Sequence, residues 1–110
     1  MKTLRFKRKY FEMIRSGQKP LECRVNYPSV RNIKVGDNVR YFWEDQIYDV
    51  EIVGVRRYKS FYEMLKNENI DKLVPGMSFK QALKEYRRIY PDWKLKKYGG
   101  IIVFEAVPFK

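Results

Sequence analysis

The stretch Gly17-Gln18-Lys19-Pro20-Leu21-Glu22-Cys23-Arg24 places an ammonium, a carboxylate and a guanidinium close together around a glycine and a proline. Read as a strand from Leu21 to Val25, the segment puts Glu22 and Arg24 on one face, because side chains two apart in a strand point the same way. The carboxylate can then orient the guanidinium and leave its remaining N–H groups for a phosphate or a base edge, with Lys19 at the mouth. The plain alternative is an intramolecular pair on a solvated strand face, an arrangement worth little energy.

Composition narrows the chemistry further. Histidine is absent and Cys23 is the one cysteine. Histidine-based triads, the usual zinc ligand and an internal disulfide are therefore excluded, and neither a metal site nor a cofactor is expected. Twenty-four Lys and Arg against 13 Asp and Glu give a formal net charge of +11, a field that attracts polyanions such as nucleic acid. Charge alone does not distinguish such a binder from a protein that is merely basic. No stretch approaches the apolar length of a membrane span, and Met1-Lys2-Thr3-Leu4-Arg5 has no signal-like apolar core, so a cytoplasmic protein without membrane contact is expected.

The elements that must position these residues follow from periodicity. At 110 residues the chain reads as one domain spanning 1–110. Thr3 to Phe6 alternates like a short strand, and Tyr10, Phe11, Met13 and Ile14 cluster as one face of a short helix that Ser16-Gly17 stops. The aromatic strand Val39 to Trp43 follows the turn Gly36-Asp37. A hairpin turn at Glu44-Asp45-Gln46 then leads into a long alternating strand, Ile47 to Tyr58, with Gly54 as a bulge. Ser60 and Ser78 cap two amphipathic helices, the second of which ends at Pro91. After a basic stretch from Lys94 to Lys97, Gly99-Gly100 turns the chain into a buried strand from Ile101 to Phe104. Strands interrupted by helices and closed by a strand suit an α/β (α+β) barrel with helices packed around it.

The residues Gly17, Lys19, Glu22 and Arg24 occupy all four defined positions of a Gly-x-Lys-x-x-Glu-x-Arg pattern, and the chain resembles the ASCH domain family of the PUA-like superfamily. The turn at Gly36-Asp37, the helix ending in Tyr90-Pro91 and the closing strand after Tyr98-Gly99 also look like family features. The resemblance implies a bent β-barrel of about five to six strands with two to three flanking helices, the signature lining a cleft. It further implies RNA binding, or the amidohydrolase activity on acetylated cytidine found in some bacterial members. In those members a threonine nucleophile follows the lysine and a glutamate precedes the long helix. Here Glu22 stands at the threonine's place and the stretch before the helix reads Leu73-Val74-Pro75-Gly76, with Asp71 and Glu68 the nearest carboxylates. Catalysis would then fall to Lys19 promoting attack by water and Glu22 acting as its base.

Aromatic side chains stack on unpaired bases, and Tyr27 and Tyr98, each expected in a loop near the signature, are the candidates here. Basic residues gather at Lys7-Arg8-Lys9, at Arg56-Arg57 with Lys59, and at Lys94 with Lys96-Lys97. Lys80, Lys84 and Arg87 recur at helical spacing, as a stripe along a phosphate backbone or as a solvated face. The reading drawn from these features is an RNA- or nucleotide-binding module in which Lys19 and Arg24 contact the ligand and Glu22 positions Arg24. Its alternatives are the nucleoside amidohydrolase and an adaptor whose basic face meets an acidic protein.

Overall fold

The computed structural model describes residues 1–110. Five strands, β1 (Lys2–Arg5), β2 (Leu21–Val25), β3 (Asn38–Trp43), β4 (Gln46–Tyr58) and β5 (Ile101–Pro108), form one curled sheet in the order β1-β3-β4-β5-β2. β1 runs parallel to β3, and the other neighbours are antiparallel. The curl comes from β4, whose register against β5 shifts between Ile52 and Gly54. A bulge at that point bends the strand and raises its twist, as the placement of Gly54 in the alternating run predicts. β1 and β2 are left as the two edges of a half-closed barrel.

Five helices accompany the sheet: α1 (Arg8–Arg15), α2 (Phe61–Asn67), α3 (Ile70–Leu73), α4 (Phe79–Ile89) and α5 (Asp92–Tyr98). The expected caps are present, with Ser60 accepting from Glu63 N–H and Ser78 forming a reciprocal capping box with Gln81. Two short helices go beyond the two or three expected. Asn69 caps the single turn α3. Pro91, which ends α4, also serves as the N-cap of α5, where its lack of an N–H is harmless. The basic stretch Lys94 to Lys97 is therefore helical, and it is held to the core through buried Leu95.

Alternation along β5 divides the interior into two cores. Ile102, Phe104 and Ala106 face the inside of the curl, where they join Tyr41, Val50 and Ile52 of the sheet and Phe11 and Ile14 of α1. Ile101 and Val103 face outward and pack with Leu21, Cys23 and Val25 of β2 beneath the buried faces of α2 to α5. Gly100 makes the entry to β5 possible. It has φ +106°, and a Cβ there would lie 2.3 Å from the Tyr58 carbonyl oxygen. Only glycine satisfies both conditions.

Candidate functional site

The site begins where α1 ends. Gly17 has φ +89°, a left-handed conformation that reverses the chain, and Gln18 N–H and Lys19 N–H both donate to the carbonyl of Met13. The turn directs Lys19 inward rather than to a mouth. The residue is 3% exposed, and its ammonium donates to the carbonyls of Leu21 at 2.7 Å and Leu73 at 2.6 Å. Its Nζ lies 3.5 Å from Glu22 Oε1. An ammonium has three protons, and two of them are taken by these carbonyls. Lys19 therefore anchors the floor of the site.

Glu22 and Arg24 do share a face of β2, but the face is not solvated. Register pairs Glu22 with Phe104 and Arg24 with Ile102, so both side chains point toward the inside of the curl. Glu22 is 9% exposed, and its Oε1 accepts from Cys23 N–H at 2.9 Å while Oε2 accepts from Arg24 Nε at 3.3 Å and Nη2 at 3.2 Å. Burial pushes its pKa up, yet the Lys19 ammonium, the Arg24 guanidinium and the Cys23 N–H outweigh it and hold the carboxyl below its ordinary value. Arg24 Nη2 also donates to the carbonyl of Arg5 at 2.7 Å, and the guanidinium carbon lies 4.7 Å from the centre of the Phe6 ring. The Arg5 bond ties edge strand β2 to the end of edge strand β1 across the open seam of the barrel. Arg24 Nη1 keeps both of its N–H groups unpaired within the chain.

Over this trio lies a cavity of about 210 Å³. Lys19, Glu22 and Arg24 line it together with Tyr10 of α1, Tyr86 of α4 and Tyr90 at the C-cap of α4, while Arg5, Lys7 and Glu85 are its other charged residues. The hydroxyls of Tyr10, Tyr86 and Tyr90 make no hydrogen bond within the chain, and none is sealed from the cavity. Burial is the largest influence raising the pKa of all three phenols, and the charge of Glu22 pushes the same way. They stay protonated at neutral pH and can donate. A second cavity, about 170 Å³, lies against the same ion pair and is lined by Gly17, Lys19, Glu22, Tyr41 and Tyr48 among others.

Tyr27 and Tyr98 line neither of these cavities. They pack on each other instead, with ring centres 4.8 Å apart at 68°. The tyrosines that do line the first cavity include Tyr86 in the last turns of α4 and Tyr90, four residues on, at its C-cap. That spacing is visible in the sequence, although there it marks only a helix face turned toward some partner. The carboxylates nearest the amidohydrolase pattern lie elsewhere. Glu68 accepts from Arg56 Nε at 2.6 Å and Nη2 at 2.8 Å and from the Tyr58 hydroxyl, and Asp71 accepts from Gly76 N–H at 3.0 Å. Val74 takes the place beside Lys19 and Glu22 in the cavity wall. No three side chains of metal-ligating type come together.

The basic clusters differ in availability. Arg56 is paired with Glu68 and Glu105, and Arg57 donates to the carbonyl of Arg31. Lys80, Lys84 and Arg87 form an exposed stripe on α4 with no ion pair. No helix is long and apolar enough to cross a membrane.

Comparison with known proteins agrees with this architecture. A crystal structure of the hypothetical protein PH0355 superposes with a TM-score of 0.84 at 33% identity, covering 97% of each chain. A solution NMR structure of protein PF0455 from Pyrococcus furiosus superposes with a TM-score of 0.76 at 30% identity, covering 98% of this chain and 96% of the other. No functionally curated protein matches the sequence. The ASCH domain profile matches residues 4–107, which runs from within β1 to within β5 and includes the whole signature, and the chain therefore belongs to the ASCH domain family.

Proposed function

We propose that this protein is an RNA- or nucleotide-binding module whose seam cavity receives one unpaired base. The observation that carries the reading is a guanidinium presented by its neighbours: Glu22 and the Arg5 carbonyl hold Arg24 through Nε and Nη2, and Nη1 is left free at a cavity lined by three tyrosines. A cavity of about 150 Å³ accommodates one six-membered ring, so about 210 Å³ suits a single base with its exocyclic atoms. Stacking and edge contacts by aromatic and donor groups are how unpaired bases are read, and a base held within a duplex cannot reach such a recess. The net charge of +11 supplies the long-range attraction to a polyanion.

The hydrolytic reading has less support. Two of the Lys19 protons are held by backbone carbonyls, the nucleophile's position holds a carboxylate already engaged by Cys23 N–H, Arg24 and Lys19, and Val74 stands in the wall instead of a second acid. The adaptor reading draws only on the charge.

Fluorescence anisotropy with labelled single-stranded and duplex RNA of equal length tests the proposal. Single strands bind more tightly, Arg24→Gln and Tyr90→Ala each weaken binding by about tenfold or more, and log affinity falls linearly with log salt. Equal affinity for duplex, or an Arg24→Gln variant that folds and binds like the native chain, would reject it. Purified protein incubated with acetylated cytidine releases no acetate, and turnover abolished by Lys19→Ala would establish the hydrolase instead.

A further inference from the structure

The cavity adjoins the first turn of α1, whose Tyr10 and preceding Lys7 form part of its wall. A helix N-terminus carries the positive end of the helix dipole, so acidic residues and side-chain oxygens normally gather there. α1 has neither. Its N-cap is Lys7, which makes no capping hydrogen bond, and its first turn holds no acid but Arg8 and Lys9. The backbone N–H groups of Arg8, Lys9 and Tyr10 find no acceptor in the chain, since the first bond of the turn is Phe11 N–H to the Lys7 carbonyl. Cations crowd an uncompensated positive end, an arrangement that disfavours the unliganded helix and that an anion would relieve.

A second and independent feature points to a ligand at the same place. Tyr86 is 6% exposed, yet its hydroxyl has no partner in the chain and reaches the cavity wall that Lys7 and Tyr10 complete. The hydroxyl keeps some accessible surface in that wall, so a group that enters the cavity and covers it has to supply the missing partner. Glu85, a carboxylate in the same wall, does not oppose an anion strongly. The carboxyl, held below its ordinary value by Arg88 first and then by Lys9 and Lys7, stays ionised, and the ion pair with Arg88 offsets its charge.

Resting on the reading of the cavity as a base pocket, we propose that the ligand is a nucleotide rather than a nucleoside, with its phosphate seated on the first turn of α1. The free amides of Arg8, Lys9 and Tyr10 and the ammonium groups of Lys7 and Lys9 hold the phosphate, while the base enters between Tyr10, Tyr86 and Tyr90. The same chemistry fits a terminal phosphate monoester or a diester within an RNA strand.

Isothermal titration calorimetry separates these sources. The four ribonucleosides, their 5′- and 3′-monophosphates, inorganic phosphate and short single-stranded oligonucleotides without terminal phosphates are each titrated into the full chain. At least one phosphorylated form binds about tenfold or more tightly than its nucleoside. That ratio falls toward one in a Lys7→Gln, Lys9→Gln double variant whose circular dichroism is native. A preference for monophosphates identifies the monoester, and a preference for the oligonucleotides identifies the strand diester. Equal affinity of nucleosides and nucleotides, or a ratio unchanged in the double variant, overturns the phosphate seat and leaves the base pocket standing. Inorganic phosphate binding as tightly as the nucleotides overturns the joint site, and no binding by any nucleoside, nucleotide or RNA refutes the base pocket itself.

Discussion

Replacing Lys19 with methionine keeps a side chain of similar length while removing the ammonium on which the site is built. That ammonium donates to the carbonyls of Leu21 and Leu73 at 2.7 and 2.6 Å and lies 3.5 Å from the buried Glu22 carboxylate. Breaking a buried pair by deleting one partner costs about 3–5 kcal/mol. Glu22 keeps Arg24 and the Cys23 N–H, and methionine refills the volume, so the lower end, about 3 kcal/mol, is expected. With a urea slope of roughly 1.5 kcal/mol per molar, the unfolding midpoint falls by about 2 M.

The pH dependence of Lys19→Met supplies an independent check. In the native chain the Glu22 carboxyl lies below its ordinary value. Its ionised form therefore contributes stability that is fully present above the unfolded-state pKa and is lost as pH falls through the lowered folded value. Without Lys19, burial is opposed only by Arg24 and the Cys23 N–H, and the folded-state pKa of Glu22 rises. The stability deficit of the variant consequently shrinks on acidification, because protonating Glu22 removes the poorly compensated charge. Urea unfolding followed by far-ultraviolet circular dichroism, near neutral pH and again near pH 5, measures both effects. A midpoint shift below about 0.5 M, or a deficit that widens as pH falls, would refute the buried-anchor account of Lys19.

Gly100→Ala must adopt φ +106° and clears the Tyr58 carbonyl by only 2.3 Å, so it lowers Tm by roughly 10 °C or more in a thermal melt, and a native-like Tm would contradict the tight entry to β5. The Tyr58 phenol is pushed up to about 12, first by burial and then by its hydrogen bond to Glu68. Glu68→Gln removes that charge and lowers the titration midpoint of Tyr58 in an NMR titration of ring-labelled tyrosine, whereas an unmoved midpoint would show that burial alone sets it.

Local rules made much of this protein legible in advance. Period-two alternation placed Leu21, Cys23 and Val25 opposite Glu22 and Arg24, Gly54 marked the bulge, and Ser60 and Ser78 announced their helices, since each depends on neighbours within a few residues. The Gly-x-Lys-x-x-Glu-x-Arg pattern located the charged trio for the same reason. What periodicity cannot say is which body covers a strand face, and here the Glu22 and Arg24 face lies inside the curl rather than in solvent. That outcome rests on the open seam between β1 and β2, on the Leu73 carbonyl meeting Lys19 across 54 positions of sequence, and on α4 bringing Tyr86 and Tyr90 over the trio. Residue types and short spacings were set by the chain itself, but the burial that turns three charges into a pocket comes from contacts between distant segments, and only the folded arrangement of those segments decides it.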